Sequence, residues 1–169
     1  EKDAMPVTTA VNARFSLLAI GLEQGYIVMF EFHTSTQSPE KTHTLSLSPH
    51  VTGRVTSLAW TADGHALAVG YERGWAVWSM FGHLMTHSFR SDWHSMTRVY
   101  RDTFQFGTQS VFWALGGTEL FVLPRVPPAD APVKDDDKTL VYILPFLKAA
   151  STAQLMPAET DGCLSLIHI

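Results

Sequence analysis

The chain of 169 residues has little cysteine, few basic residues and no long apolar run. Its only cysteine, Cys163, has no partner for an internal disulfide, which is typical of a reducing compartment such as the cytosol or nucleus. The 12 lysines and arginines form no run and the formal net charge is −4, so the sequence predicts no nucleic-acid partner. The best apolar stretch, Leu140–Leu147, is shorter than the roughly 20 residues that span a bilayer, so no transmembrane segment is predicted.

The residues that are abundant predict a folded domain. Hydrophobic residues make up 46% of the chain and charged residues 17%, which provides enough apolar surface for a core and excludes a disordered chain. A strand pattern starts soon after Glu1 with no signal peptide before it, and we interpret the chain as a piece of a longer protein.

The last residues, 164–169, need a separate interpretation. Back-translation of this segment can give a string that resembles the transposon adapter of common sequencing libraries. Our hypothesis is that the segment is a read-through artefact, so His168 is given no functional role. A source transcript whose coding sequence continues through these residues would contradict it.

An internal repeat organises the chain. Residues 18–25 and 67–74 are identical at five of eight positions, with an offset of 49 residues. A weaker third copy aligns residues 113–122 with 60–69 at an offset of 53. Periods of roughly 40–50 residues are typical of propeller blades and too long for the common helical repeats.

Each copy predicts strands joined by short turns. Residues 66–70 and 75–78 are apolar, β-branched or aromatic and flank a glycine-containing turn, which is the pattern of a hairpin. The strand before them, residues 54–60, ends in a turn that contains Asp63-Gly64. A fourth strand near residues 85–89 completes the unit. The sequence therefore predicts an all-β fold, a partial β-propeller of about three blades that stays open.

The blade boundaries follow from the repeat. We expect blades at about residues 5–50, 51–105 and 106–163, with a Pro- and Asp-rich surface loop at 124–138 and a short helix at 146–153. The residues predicted to hold the blades together are Trp60, Asp63, Gly64, Gly70, Gly74, Trp78 and Trp113.

The second copy resembles a WD-repeat blade. Residues 55–70 read Val-Thr-Ser-Leu-Ala-Trp, then Asp-Gly, then Leu-Ala-x-Gly. Trp78-Ser79 stands where the Trp-Asp pair usually stands, and Phe30-Glu31 is its counterpart in the first copy. Neither copy starts with the Gly-His dipeptide of strong WD repeats, and Pro49-His50 is the nearest match.

Three segments of the chain are typical of one group of WD proteins. They are Trp78–Gly82, which reads Trp-Ser-x-Phe-Gly, Trp113–Leu123 and Phe146–Ala150. On these segments the chain is similar to the Ric one family, and the similarity covers about residues 7–150. The resemblance implies a propeller subunit that works with a second subunit to activate a Golgi Rab GTPase by promoting GDP release. It also implies a cytoplasmic protein, peripheral to the Golgi membrane, in retrograde vesicle traffic. The alternative is an unrelated WD-repeat scaffold of a coat or ubiquitin-ligase assembly.

The candidate contact residues lie in equivalent turns. Glu23 and Glu72 occupy matching positions in the two hairpins, and Arg73 follows the second, so all three should lie on one rim where a partner could bind. The simpler interpretation, which we favour, is that turn tips are polar because water surrounds them.

Other polar clusters suggest chemistry only weakly. His83, His87 and His94 have spacings that would suit zinc on a helix, but residues four apart lie about 13 Å apart in a strand. Ser57, Asp63 and His65 could be imagined as a hydrolase set, yet no nucleophile elbow is present. The tryptophans at 60, 75, 78 and 113 could form a ligand cage but favour packing between blades. We expect no catalytic residue, metal or cofactor in this segment.

The open propeller predicts poor behaviour of the isolated chain. Blades bury their faces against neighbours, so a three-blade piece leaves apolar faces and strand edges without partners. We expect the 169-residue chain alone to aggregate. Size-exclusion chromatography with thermal melting checks this, and a monomer that unfolds cooperatively would contradict it.

Overall fold

The computed structural model describes residues 4–33, 38–89 and 107–125, and the backbone of two further strands at 140–145 and 165–168. Almost every element in it is a strand. The strands are β1 (Pro6–Asn12), β2 (Leu17–Leu22), β3 (Ile27–Phe32), β4 (Pro39–Leu45), β5 (Val55–Trp60), β6 (Ala66–Tyr71), β7 (Gly74–Ser79), β8 (Leu84–His87), β9 (Thr108–Ala114), β10 (Glu119–Pro124), β11 (Leu140–Pro145) and β12 (Ser165–His168). One helical turn, α1 (Pro49–Thr52), precedes β5, and a 3-10 turn (Leu115–Gly117) precedes β10.

The strands form three antiparallel sheets, each of four strands that pair in chain order. We call them blade 1 (β1–β4), blade 2 (β5–β8) and blade 3 (β9–β12). The all-β, open three-blade architecture expected from the repeat is confirmed. The predicted helix at 146–153 and residues 126–138 of the predicted loop lie outside the described residues. The proposed blade limits and the origin of residues 164–169 stay predictions.

The repeat extends to the register of the strands. Trp60 pairs with Leu67 in blade 2, and Trp113 pairs with Leu120 in blade 3, as the offset of 53 requires. In the β2–β3 hairpin Phe30 pairs with Leu18, and in the β6–β7 hairpin Trp78 pairs with Leu67. For these strand residues, matching letters in the sequence therefore mark matching places in the sheets.

Blade 2 is enclosed by its neighbours. All six residues of β6 are buried, and so are five of the six residues of β7. In blade 1, by contrast, β2 alternates buried and half-buried residues. A continuous apolar run is typical of a strand that is covered on both faces, and β6 and β7 of blade 2 are buried in this way.

Two apolar clusters join the blades. The first lies between blades 1 and 2 and includes Ile27 and Met29 from one side and Tyr71 and Trp78 from the other. The second lies between blades 2 and 3 and includes Trp75 and the side chains of Val111, Leu120 and Val122. Among the described side chains, the apolar core is thus built at the two junctions.

The β2–β3 and β6–β7 hairpins differ although their sequences align. In blade 1, Leu22 and Tyr26 bond across a three-residue loop in which Gly25 has φ +82°. This is the bulged hairpin that needs glycine in the left-handed region. In blade 2, Tyr71 pairs directly with Gly74 across two residues. Gly25 and Gly74, aligned by letter, are therefore not structural equivalents.

Leu67 and Leu18 occupy equivalent positions in blades 2 and 1, and their substitution tests whether blade 2 is covered on both faces. Leu67 is 0% exposed against blade 1, whereas Leu18, at the same place in blade 1, is only half-buried. We expect Leu67→Ala to lower the free energy of unfolding of the chain by about 2–5 kcal/mol, and Leu18→Ala to lower it by clearly less. Urea titration followed by circular dichroism at low concentration measures both, and equal losses would contradict the packing described.

Candidate functional site

The first strand of each blade lies at the centre of the assembly. β5 packs against β1 on one side and against β9 on the other, so these three are the inner strands. We call the edge at which the inner strands start the start rim, and the edge at which they end the end rim. The start rim carries the β2–β3 and β6–β7 turns, and the end rim carries the β1–β2, β5–β6 and β9–β10 turns.

At both junctions, a tryptophan of the later blade donates a hydrogen bond to the blade before it. The Trp60 indole N–H donates to the Ala10 carbonyl at 3.3 Å, and the Trp113 indole N–H donates to the Ala59 carbonyl at 2.9 Å. The acceptors are equivalent, because Ala10 pairs with Ala19 and Ala59 pairs with Ala68. The same contact therefore closes both junctions.

A second contact recurs at the end rim. The Asn12 side-chain amide donates to the Gly64 carbonyl at 2.7 Å. At the next junction Gly117 lies against Thr61, and a Cβ at Gly117 would be 3.2 Å from the Thr61 Cβ. Gly64 and Gly117 both have positive φ, +76° and +98°. Glycine is used at both places because the turn conformation and the neighbouring blade leave no room for a side chain.

The Asp63-Gly64 turn is fixed by its own polar atoms. The Asp63 carboxylate accepts hydrogen bonds from the Thr61 hydroxyl at 2.5 Å and from the His65 amide at 3.1 Å. The Thr61 bond holds the pKa of Asp63 below its ordinary value, while partial burial opposes this. Asp63 therefore acts in the turn predicted from the sequence.

A third contact recurs at the start rim. A Cβ at Gly25 would overlap the Gly53 carbonyl, and a Cβ at Gly107 would overlap the Glu72 carbonyl. Gly53 and Gly107 both precede an inner strand and both have positive φ. The turn between the second and third strands of one blade thus packs against the backbone just before the inner strand of the next blade.

The predicted rim residues take part in this contact. The Glu72 carboxylate pairs with Arg125 of blade 3 at 3.6 Å. The Arg73 guanidinium donates to the His50 carbonyl at 2.6 Å, while Glu23 is exposed. The three residues do share the start rim, but Glu72 and Arg73 already bind neighbouring segments.

The imagined hydrolase set is not assembled. The Ser57 hydroxyl oxygen accepts the Val111 amide of blade 3 at 3.0 Å, so this serine belongs to the junction. The His65 ring packs against Phe15 with centroids 5.1 Å apart. Together with the turn bonds of Asp63, these contacts give each of the three residues a structural place.

The histidines do not form a metal cluster in the described residues. His87 ends strand β8 and stacks on Phe89, and His83 lies in the turn before that strand, so a helical spacing does not apply. His94 lies outside the described residues. Among the residues that the structure describes, no group of three or more His, Cys, Asp or Glu side chains could hold a metal ion.

The tryptophans divide between the two junctions. Trp78 is buried in the cluster between blades 1 and 2, and Trp75 in the cluster between blades 2 and 3. Beside Trp78, burial raises the pKa of the Tyr71 phenol above its ordinary value. No cage is formed, since Trp60 and Trp113 bond to successive blades.

Gly70 and Gly74 are needed for close approach and not for positive φ. A Cβ at Gly70 would lie 2.5 Å from the Ser57 hydroxyl oxygen and 3.1 Å from a methyl group of Thr108 in blade 3. A Cβ at Gly74 would lie 2.8 Å from the Phe89 ring, which packs over the start of β7.

A cleft of about 470 Å³ opens at the end rim beside the inner strands. Its lining is mainly apolar and includes Val11, Trp60, Phe112 and Leu115. Leu115 is 71% exposed and has φ +47°, a region that is uncommon for leucine. No local sequence pattern marks this cleft, because the residues that line it come from three strands about 50 positions apart.

Comparison with known proteins agrees with this architecture. The guanine nucleotide exchange factor subunit ric1 of Schizosaccharomyces pombe is 34% identical over 113 residues, which is 67% of this chain and 10% of that protein. The human subunit RIC1 is 24% identical over 157 residues, which is 85% of this chain and 11% of that protein. The chain spans about a tenth of the length of these curated relatives. No protein-family model matches it.

Solved WD-repeat propellers share the fold. The RRP9 WD40 repeats superpose with a TM-score of 0.60 at 11% identity, covering 88% of this chain and 37% of that one. The Cps50 (Swd1) β-propeller domain of Myceliophteria thermophila gives 0.54 at 12% identity, covering 84% and 36%. The chain therefore has the fold of part of a WD-type propeller. Within the ranges described, no helix is long and apolar enough to cross a bilayer.

The contribution of the Trp113 indole hydrogen bond to stability can be measured by comparison with Trp75, whose indole makes no such bond to the described residues. Trp113→Phe leaves the Ala59 carbonyl without its donor, whereas the Trp75 indole N–H has no partner in the described structure. We expect Trp113→Phe to lower the free energy of unfolding by about 1 kcal/mol more than Trp75→Phe does. Chemical denaturation of both variants, at concentrations low enough to avoid aggregation, measures the difference, and a larger loss for Trp75→Phe would contradict the assigned role.

Comparison of Gly64 with Gly116 distinguishes the cost of backbone strain in a turn from the cost of a clash with the neighbouring blade. Gly64 and Gly116 have similar φ, +76° and +70°, but a Cβ at Gly64 would lie 2.6 Å from the Asn12 side chain, whereas nothing lies within 4 Å at Gly116. We expect Gly116→Ala to lower the free energy of unfolding by about 1 kcal/mol and Gly64→Ala to lower it by more. Matching losses in urea titrations would show that the junction tolerates the methyl group.

Proposed function

We propose that this chain, which belongs to the Ric one family, supplies part of the propeller scaffold in a guanine nucleotide exchange factor complex. The observation that carries the proposal is the 34% identity over 113 residues to the fission yeast subunit. The propeller fold adds to it, because blades present turns and rims on which partner proteins can be held.

The segment acts in this proposal as a scaffold and not as a catalyst. The polar side chains that were candidates for chemistry have structural places, since Ser57 holds a junction and Asp63 holds a turn. Exchange activity would then belong to the complex as a whole, whose second subunit and GTPase bind surfaces of the parent protein.

The GTPase is proposed to be a Golgi Rab in retrograde traffic, with the parent protein cytoplasmic and peripheral to the Golgi membrane. This finer statement rests on the family resemblance carried by Trp78–Gly82 and its surroundings. In the structure that motif forms the end of β7 and the tight turn after it, where the Ser79 hydroxyl accepts the His83 amide at 3.1 Å.

The start rim is the proposed contact surface within this segment. Glu23 is an exposed charged residue of this rim to which no junction contact is assigned, whereas Glu72 pairs with Arg125. A rim charge acts mainly on the rate of association, so its effect should depend on salt.

Affinity capture of the full-length parent protein, followed by mass spectrometry, tests the proposal. Recovery of a second exchange-factor subunit and a Golgi Rab, with faster GDP release from that Rab in the presence of the purified complex, is the expected result. Recovery of coat or ubiquitin-ligase subunits instead would assign the propeller to a different scaffold.

A charge reversal tests the rim. We expect Glu23→Lys in the parent complex to slow GDP release at low salt. The melting temperature of the complex should stay unchanged, because Glu23 is exposed. The matched control is Glu40→Lys, an exposed glutamate on the outer strand β4. Equal rates for the two variants would remove Glu23 from the contact surface.

A further inference from the structure

At both junctions, a pair of small side chains on one blade lies opposite a tryptophan of the next blade. In blade 1 the cross-strand pair Ala10 and Ala19 lies where Trp60 of blade 2 approaches, and in blade 2 the pair Ala59 and Ala68 lies where Trp113 of blade 3 approaches. Ala68, Ala59 and Trp113 belong to one apolar cluster. A row of two small side chains thus makes room for one large ring of the next blade.

Blade 3 departs from this pattern. Register equivalence places Phe112 and Phe121 where blades 1 and 2 have their alanine pairs, and these two rings are paired across the strands. They stack with centroids 5.0 Å apart and an interplanar angle of 18°. Two stacked rings thus stand where the other blades have two methyl groups, which leaves less room for a large ring of a following blade.

The phenylalanine pair faces away from blade 2. Side chains alternate between the faces of a strand, and the neighbours Val111, Leu120 and Val122 are buried against blade 2. Phe112 is 46% exposed, and the nearby Leu115 is 71% exposed. This outer face of blade 3 is therefore an apolar surface that nothing in the described residues covers.

We propose that the Phe112–Phe121 face receives a further four-stranded blade of the same propeller whose inner strand carries a small side chain, and no tryptophan, at the position equivalent to Trp60 and Trp113. Two observations favour this occupant. The face continues the series of junctions on either side of blade 2, and the chain spans only about a tenth of its curated relatives, which leaves ample polypeptide for further blades.

Blade 1 shows that the tryptophan position can hold a smaller residue. Val11 occupies it there and is 71% exposed. Overpacking a junction forces side chains out of their preferred rotamers, so a large ring opposite the phenylalanine pair would be unfavourable. The proposal concerns assembly of the ring and is independent of nucleotide exchange.

The experiment uses the full-length parent protein and two phenylalanine variants. If a blade covers the face, Phe112→Ala lowers the melting temperature by a few degrees, because a buried ring is lost. The matched control, Phe81→Ala, removes a ring that is 66% exposed in the β7–β8 turn and should leave the melting temperature unchanged. Equal melting temperatures for the two variants would overturn the proposal.

A second measurement needs no variant and holds even if Phe112→Ala fails to fold. A cryo-electron microscopy map of the parent protein shows which residue lies against the Phe112 and Phe121 rings. A glycine, alanine or serine of an inner strand supports the proposal. A tryptophan at that place, or a face left open to solvent, overturns it.

Discussion

The structure depends on the packing of each blade against the face of the next, closed by an indole N–H bond to an inner-strand carbonyl. An inner strand has a sheet partner on one side only, so its other polar groups would be left unpaired where a neighbouring blade covers them. Trp60 and Trp113 satisfy such carbonyls and cover apolar surface with the same side chain. This dual role explains why a tryptophan recurs at one register position and why small residues recur beneath it.

Much of the fold could be predicted from local signals. The repeated Leu-Ala-x-Gly segment, the Asp63-Gly64 turn and the aligned tryptophans are short-range features, and each marks the same place in successive sheets. What failed was the finer geometry. Gly25 and Gly74 align by letter, yet one residue more in the first loop turns Gly25 into a bulge with positive φ. The α1 turn was also missed, since four residues carry no periodic pattern.

The candidate site could be predicted only in outline. Equivalent turns predict a shared rim for Glu23 and Glu72, whereas the pairing of Glu72 with Arg125 joins residues 53 positions apart in different blades. No local pattern encodes such a pair. The same holds for Ser57, whose hydroxyl oxygen accepts a hydrogen bond from the Val111 amide across a junction. Contacts between blades depend on how the sheets stack, which the repeat length alone does not determine.

The two outer faces of this unit differ from the two junctions inside it. Inside, alanine pairs receive tryptophans, whereas Val11 stands at the tryptophan position on the outer face of blade 1 and a stacked phenylalanine pair stands on that of blade 3. Chain connectivity already places the described blades one after another. The size of the facing rows adds a packing constraint, because a row that differs in size from its neighbour's requirement leaves an overlap or a cavity. The alanine pairs inside this unit therefore match the tryptophans that they meet, and the turns on the rims are held in place by these matched junctions.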